Sequence, residues 1–167
     1  MFPQTTLFMV VDDMEPLRRV VRAMLKNLGY LNVLEASSGQ QGLQVLEKTF
    51  LIGKPVEVIL SDWQMPGMTG IEFLEVVRTT EQYAHLPFIM ITAEGQREQI
   101  LAAIQGGVSS YLIKPISPAV LEEKLKAVWF KMQETGKAPG VGIVPLAPPP
   151  PPPPPPPAAA SAPGQDA

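Results

Sequence analysis

Five short apolar runs alternate strictly with five longer segments of helical periodicity, and this alternation limits the chain to very few folds. The apolar runs are Leu7–Val11, Asn32–Ala36, Val56–Ser61, Pro87–Ile91 and Tyr111–Ile113. The helical segments are Glu15–Leu28, Gln40–Phe50, Ile71–Thr80, Gln96–Gln105 and Ser117–Glu134. Strands that each lead into a helix form a parallel sheet with helices on both faces. The pattern therefore predicts an α/β fold with a doubly wound, five-stranded parallel sheet.

Residues that commonly begin and end helices support these segments. Gly29 directly follows the first helical segment, as a C-terminal cap does, and Pro16 lies in the first turn of that segment. Ser117 and Pro118 stand at the start of the last segment as N-cap and first helical residue. Glycine is favoured just after a helix, and serine and proline are favoured at its start.

The C-terminal part of the sequence has a different composition. Helical periodicity stops after about Glu134, and from Ala138 onward the chain is mainly proline, alanine and glycine, including the unbroken run Pro148–Pro157. Such a segment cannot bury enough apolar surface to fold. We therefore expect a folded domain over residues 5–134 and a disordered, proline-rich tail over residues 135–167. The proline run favours extended polyproline II of about 3.1 Å per residue, and a solvated spacer is a simpler interpretation of it than a ligand.

Composition excludes several classes of protein. A length of 167 residues suits one domain with a proper core. A formal net charge of −3 argues against a nucleic-acid surface, which needs clustered lysine and arginine. The absence of cysteine excludes disulfides, zinc fingers and thiol catalysis. No signal peptide is recognisable and no stretch approaches the roughly 20 apolar residues of a membrane span, so we expect a soluble, cytoplasmic protein.

Polar residues stand where four of the five predicted strands end. The first strand finishes in Asp12 and Asp13, the third in Asp62, the fourth in Thr92 and the fifth in Lys114. Each residue alone also has a plain structural explanation: an aspartate or threonine can start a turn or cap a helix, and a lysine can be a surface charge. Because the carboxyl ends of parallel strands lie along one edge, we expect all five side chains to converge there.

The chemistry of these side chains favours phosphoryl transfer. Three carboxylates in one pocket repel each other and require a cation, and oxygen ligands without histidine or cysteine suit Mg²⁺. A lysine and a hydroxyl group beside that ion would complete the donors around a phosphoryl group. Asp62 is then a plausible nucleophile that forms an aspartyl phosphate.

Four motifs carry a resemblance to a known family. The segments MVVDD, LSDWQMPGMTG, ITAEG and YLIKP resemble the receiver domain of two-component response regulators, with the closest likeness to stand-alone chemotaxis regulators of the CheY type. The likeness covers roughly Thr6 to Glu134 and implies the strand order 2-1-3-4-5. It further implies a cis bond between Lys114 and Pro115. The site residues that it implies are Asp62 as phosphoacceptor, Asp12, Asp13, Asp62 and the backbone carbonyl of Gln64 around Mg²⁺, Thr92 and Lys114 at the phosphoryl group, and Thr92 and Tyr111 as switch residues.

The resemblance also implies the partners. They are a histidine kinase of the chemotaxis type, a flagellar switch protein or other protein effector, and a phosphatase, with the chain itself a monomer. No second domain is recognisable after the last helical segment, so we expect output through protein contact at a face that includes Arg97, Ile100, Ile104, Tyr111 and Lys124. The resemblance places Leu101 inward, whereas periodicity alone would equally allow Ile100, Leu101 and Ile104 to be core residues.

The chain departs from the family in two places. Gln64 stands where close relatives usually have asparagine, which affects the expected dephosphorylation rate, and the segment 48–57 is longer than usual.

A phosphorelay shuttle that passes phosphate to a histidine phosphotransfer domain is one alternative function. A Mg²⁺-dependent aspartyl-phosphate hydrolase of the haloacid dehalogenase type is another, although its nucleophile ends the first strand in an Asp-x-Asp pattern. We expect a signalling switch, which is not an enzyme beyond its own phosphorylation and dephosphorylation.

Overall fold

The computed structural model describes residues 1–93, 97–138 and 140. Its strands are β1 (Phe8–Val11), β2 (Val33–Ala36), β3 (Val58–Asp62), β4 (Phe88–Thr92) and β5 (Ser110–Ile113). Its helices are α1 (Glu15–Asn27), α2 (Gly39–Leu51), α3 (Gly70–Thr79), α4 (Arg97–Gln105) and α5 (Pro118–Thr135). Every predicted element is therefore present, with small shifts at the ends. The predicted start of α4 at Gln96 lies outside the described residues, as does the predicted tail apart from residues 135–138 and 140.

The five strands form one parallel sheet in the order β2-β1-β3-β4-β5, which confirms the predicted order. The register aligns Val11 with Ser61, Asp62 with Ile91, and Thr92 with Ile113. Because neighbouring strands end at nearly the same level, the residues at their carboxyl ends lie side by side. The strand order reverses beside β1, and this reversal opens the crevice where open α/β sheets bind ligands.

Two hydrophobic clusters hold the helices against the two faces of the sheet. Residues of β1, β3 and β4 are buried along their whole length, and alternate side chains point to opposite faces. One cluster contains Met9, Phe73 and Phe88, and the other contains Phe8 and Leu125. Burial of each such side chain contributes roughly 1.5–3 kcal/mol. Among the described residues, no helix has both the length and the apolar content needed to cross a bilayer.

The helix ends follow the sequence signals. Gly29 after α1 has φ +94°, a conformation that only glycine adopts without strain. The hydroxyl of Ser117 accepts a hydrogen bond of 3.3 Å from the amide of Val120 at the start of α5. Thr69 and Glu72 form a reciprocal capping box at the start of α3. These contacts satisfy amide groups that would otherwise lack partners in the first turn of a helix.

A buried arginine ties together the loops at the amino-terminal edge of the sheet. Arg78 of α3 donates hydrogen bonds of 2.8 Å to the carbonyl oxygens of Gly107 and Leu86. Burial lowers the pKa of Arg78 to about 10, so the guanidinium still carries its charge at neutral pH. Beyond α5, Ala138 is buried and the backbone of Gly140 packs closely against that of Gly107. The chain that follows α5 therefore returns to this same edge.

Candidate functional site

The site lies at the carboxyl-terminal edge of the sheet, between the ends of β1, β3, β4 and β5. Asp12, Asp62 and Thr92 are buried, with 4%, 6% and 5% of their surface exposed, whereas Asp13 is exposed. The three aspartates offer carboxylate oxygens that all lie within 4.8 Å of one another. The structure thus brings together the acidic residues that the sequence predicted to converge.

Lys114 provides the positive charge within this acidic cluster. Its Nζ donates a hydrogen bond of 3.1 Å to Oδ1 of Asp62 and lies 3.6 Å from Oδ2 of Asp12. The peptide bond between Lys114 and Pro115 is cis, as the resemblance implied. One ammonium group therefore serves two buried carboxylates, and the cluster keeps an excess of negative charge.

Burial raises the pKa of both buried carboxyl groups above the ordinary value of an aspartate. For Asp62, the hydrogen bond from Lys114 opposes this effect and the nearby charge of Asp12 adds to it. For Asp12, a hydrogen bond of 2.8 Å from the amide of Met14, together with Lys114, lowers the pKa and thereby opposes the effect of burial. Both groups would be more stable as anions with a second cation beside them.

The donor set fits Mg²⁺. Oxygen is the ligand atom that this hard ion prefers, and two of the three carboxylates are fixed by burial while the exposed one leaves a side open to water. Gln64 and Asp13 line the same surface depression, together with Trp63 and Thr69. Gln64 therefore borders the cluster, and its backbone carbonyl remains the predicted fourth protein ligand.

The loop between β3 and α3 holds Asp62 in place through its backbone. The amide of Trp63 donates to the carbonyl of Ile91 at 2.8 Å, and the amide of Gly70 donates to the carbonyl of Trp63 at 2.8 Å. A Cβ atom at Gly70 would overlap the carbonyl oxygen of Asp62. Sequence reasoning missed Gly70, although it stands directly after Thr69 in the capping-box pattern T-x-x-E, which could have marked the helix start.

Thr92 connects the site to α4. Its hydroxyl donates a hydrogen bond of 3.3 Å to Oε1 of Gln99, a residue that sequence reasoning also missed. Nothing in the sequence marks Gln99, because its position beside Thr92 depends on the rotational phase of α4. A change in the orientation of the Thr92 hydroxyl would thus directly alter a contact of α4.

The face formed by α4, β5 and α5 contains the predicted partner-binding residues. Tyr111 is half-buried, and Nζ of Lys124 lies 5.4 Å from the centroid of its ring, within the range of a cation–π contact. Ile104 is 46% exposed, and Ile100 is half-buried. Arg97 is exposed.

The prediction that Leu101 points inward is wrong, because its side chain is 46% exposed. Ala103 is the residue of α4 that is buried in the core. Two residues along an α-helix correspond to a rotation of about 200°, so Leu101 lies almost opposite to Ala103. Leu101 therefore joins Ile104 on the surface.

Comparisons with known proteins agree with the geometry of the site. Residues 8–126 match the model of the response regulator receiver domain. The chain is 41% identical over 124 residues to the chemotaxis protein CheY-3 of Vibrio cholerae serotype O1, covering 74% of this chain and 92% of that protein. It is 40% identical over 121 residues to the chemotaxis protein CheY of Pseudomonas aeruginosa, covering 72% of this chain and 94% of that protein.

Solved structures agree as well. The structure of the chemotaxis protein CheY4 of Vibrio cholerae superposes with a TM-score of 0.66 at 33% identity, covering 73% of this chain and 97% of that one. A putative response regulator of Chloroflexus aurantiacus gives a TM-score of 0.67 at 29% identity, with 73% and 95% covered. Together with the acidic cluster beside Lys114, these matches confirm the resemblance seen in the sequence, and the chain belongs to the family of response regulator receiver domains.

Proposed function

We propose that this chain is a chemotaxis response regulator in which Asp62 accepts a phosphoryl group from a histidine kinase and the phosphorylated form binds a partner protein of flagellar motor control. The observation that carries the proposal is the buried carboxylate of Asp62, which lies 3.1 Å from the ammonium group of Lys114 and within a cluster of acidic oxygens. Two relatives at about 40% identity are chemotaxis proteins.

Asp62 acts as the nucleophile. One of its carboxylate oxygens forms a bond to phosphorus while the bond between phosphorus and the histidine nitrogen of the kinase breaks, and the bonding electron pair stays on the imidazole, which takes up a proton. Asp12, Asp13, Asp62 and the carbonyl of Gln64 would hold Mg²⁺, which when bound neutralises charge on the phosphoryl oxygens. The kinase supplies the phosphoryl group, and this chain supplies the nucleophile and the residues that would hold Mg²⁺.

Lys114 and Thr92 respond to the new group. The ammonium group of Lys114, which is hydrogen-bonded to Oδ1 of Asp62 in the unphosphorylated chain, moves to a phosphoryl oxygen, because the carboxylate loses its negative charge when it forms the mixed anhydride with the phosphoryl group. The hydroxyl of Thr92 turns from Gln99 towards another phosphoryl oxygen, which removes one contact that holds α4. Phosphorylation then favours a second arrangement of α4 and Tyr111, because the free energy of these contacts differs between the two arrangements.

Phosphorylation by a small donor tests the acceptor. The protein is incubated with Mg²⁺ and acetyl phosphate, and the labile phosphoryl adduct is followed by intact mass. We expect an adduct that is lost in Asp62→Asn and kept in the matched control Glu123→Gln, which removes an exposed carboxylate of α5 away from the site. An adduct of undiminished size in Asp62→Asn would sink the assignment.

Transfer between proteins tests the signalling role. A phosphorylated chemotaxis-type kinase should lose its label to this chain within one turnover, and the labelled chain should then bind a flagellar switch peptide more tightly than the unlabelled chain. Transfer onward to a histidine phosphotransfer domain, without any gain in binding of the peptide, would instead identify a phosphorelay shuttle.

A further inference from the structure

A groove runs along the amino-terminal edge of the sheet, on the side of the molecule opposite to Asp62. Its main part encloses about 330 Å³ and is lined by mostly apolar residues, among them Phe2, Leu86, Trp129 and Met132. A smaller cavity of about 70 Å³ continues it past Tyr83. The two cavities share wall residues, including Val56 and Leu86, and we call them together the basal groove.

Aromatic rings line the basal groove along its length. The rings of Phe2 and Trp129 meet edge to face with centroids 5.1 Å apart, and those of Phe50 and Tyr83 do so at 6.3 Å. Channels of this kind bind polyproline II segments, whose stiff shape costs little entropy to fix. An aromatic-lined groove therefore suits a proline-rich ligand.

Hydrogen-bonding capacity points to the same ligand. Polyproline has carbonyl acceptors but no amide donors. Trp129 of the groove wall carries an indole N–H, which can only donate. A wall with such a donor suits a ligand that can only accept.

The chain itself carries such a ligand close to the groove. Gly140 packs against Gly107, and the guanidinium group of Arg78 bonds the carbonyl oxygens of both Gly107 and Leu86, a residue of the groove wall. Only residues 141–147 separate Gly140 from the proline run Pro148–Pro157, and such a connection can span up to about 26 Å. The run would extend about 31 Å as polyproline II.

We propose that the proline run Pro148–Pro157 docks in the basal groove of its own chain, against the rings of Trp129, Phe2 and Tyr83. Covalent linkage makes this contact intramolecular and raises the effective concentration of the ligand. Docking covers the edge opposite to Asp62, so it leaves the acidic cluster and the face of α4, β5 and α5 open. The run is then a bound strap on the domain and not a spacer held away from it.

Paramagnetic relaxation enhancement in the full chain tests the proposal. The chain has no cysteine, so Ala160→Cys gives a single site for a nitroxide label just beyond the proline run. The two tryptophans provide matched indole signals, because Trp129 lines the groove and Trp63 lies beside Asp62 at the other edge. We expect the indole signal of Trp129 to be lost by broadening while that of Trp63 keeps its intensity.

Four further samples decide the result. Replacement of all ten prolines by alternating glycine and serine should restore the Trp129 signal. Trp129→Ala should remove the broadening at the amides of Thr6 and Leu86, whereas Phe130→Ala, which truncates an exposed ring at the next position of α5, should keep it. A mixture of ¹⁵N-labelled chain without nitroxide and unlabelled chain with nitroxide should show no broadening.

The proposal is overturned by any of four results. These are no broadening at Trp129, equal broadening at both indoles, persistence of the effect in the glycine–serine variant, and broadening in the mixed sample, which would mean that the tail of a second copy is the occupant. If Trp129→Ala fails to fold, the glycine–serine variant still decides the question, since it changes no residue of the described structure.

Discussion

At the scale of single residues, Asp62 is subject to two opposing influences. Burial and the charge of Asp12 raise the pKa of Asp62, and the hydrogen bond from Lys114 lowers it, with a net upward shift. A carboxyl group whose pKa is higher in the folded than in the unfolded state binds protons more tightly when folded. It therefore reduces the free energy of unfolding at neutral pH, and this loss is recovered as the pH falls through the raised folded-state pKa.

Asp62→Asn should accordingly stabilise the metal-free protein at pH 7, because the amide has no charge to desolvate. We expect a higher free energy of unfolding, measured by urea unfolding in EDTA, and a gain that shrinks as the pH falls through the raised pKa of Asp62 in the folded wild type. Asp13→Asn is the matched control: this carboxylate belongs to the same cluster but is exposed, so its replacement should change stability less. A gain for Asp62→Asn that grows towards acid pH would contradict the account.

Lys114→Ala and Thr92→Ala should separate phosphorylation from signalling. Both side chains stand where they can bond the phosphoryl group, but neither attacks it. We expect each variant to form the Asp62 adduct more slowly and then to gain no affinity for the partner peptide, as followed by fluorescence titration with and without acetyl phosphate. Lys114→Ala should also cost roughly 2 kcal/mol of stability, since it removes a hydrogen bond between charged groups. Partner binding equal to that of the phosphorylated wild type in both variants would refute the separation of roles.

Most of the acidic cluster could be predicted because its residues follow strand ends, whose relative positions a parallel sheet dictates. The partners of Thr92 and Arg78 could not be predicted in this way. Gln99 reaches Thr92 only because of the phase of α4, and Arg78 bonds backbone carbonyls, which leave no trace in the sequence. Helical contacts of this kind depend on packing and not on local pattern.

At the scale of the elements, α4 shows the limit of periodicity. The helix has nine residues, and a short helix with apolar side chains on more than one side does not define a single buried face. Ala103 packs in the core, although periodicity pointed to the larger apolar residues of the helix, and Leu101 faces outward. In contrast, β1, β3 and β4 are buried on both faces, so their continuous apolar runs identified them without ambiguity.

The junction of β3 and α3 provides a prediction at this scale. Gly70→Ala would place a methyl group onto the carbonyl oxygen of Asp62, so the loop that carries Asp62 must shift. We expect a loss of about 3 kcal/mol of stability and a large drop in the rate of adduct formation with acetyl phosphate. Gly106→Ala is the control, because its added methyl group would chiefly meet the ends of the Leu74 and Ile71 side chains, which can move. Equal effects of the two substitutions on phosphorylation would argue against a special role for the junction.

At the scale of the whole molecule, the sheet separates two edges with different chemistry. The carboxyl-terminal edge carries Asp62 and Lys114, and the amino-terminal edge carries the basal groove and the loops that Arg78 ties together. Between them, the face of α4, β5 and α5 receives a direct contact from the acidic edge through Thr92 and Gln99. Under the proposed function, phosphorylation of Asp62 would therefore have a short physical route to this face, whereas the basal groove lies at the far end of the strands.

The face of α4, β5 and α5 exposes the apolar side chains of Leu101, Ile104 and Ile113, and it carries Lys124 over the ring of Tyr111. An apolar patch beside a basic residue suits an acidic amphipathic peptide. Leu101→Asp combined with Ile104→Asp should leave Asp62 phosphorylation and the unfolding midpoint nearly unchanged, because both side chains already meet water. The same pair of substitutions should abolish the gain in peptide binding that acetyl phosphate produces.

The control combines Leu31→Asp with Leu51→Asp, at two leucines outside this face that are 70% and 75% exposed. This control should bind the peptide as the wild type does. Undiminished peptide binding by the variant with both Leu101→Asp and Ile104→Asp would place the partner on another face. Unfolding of that variant would mean that the two side chains are buried in solution.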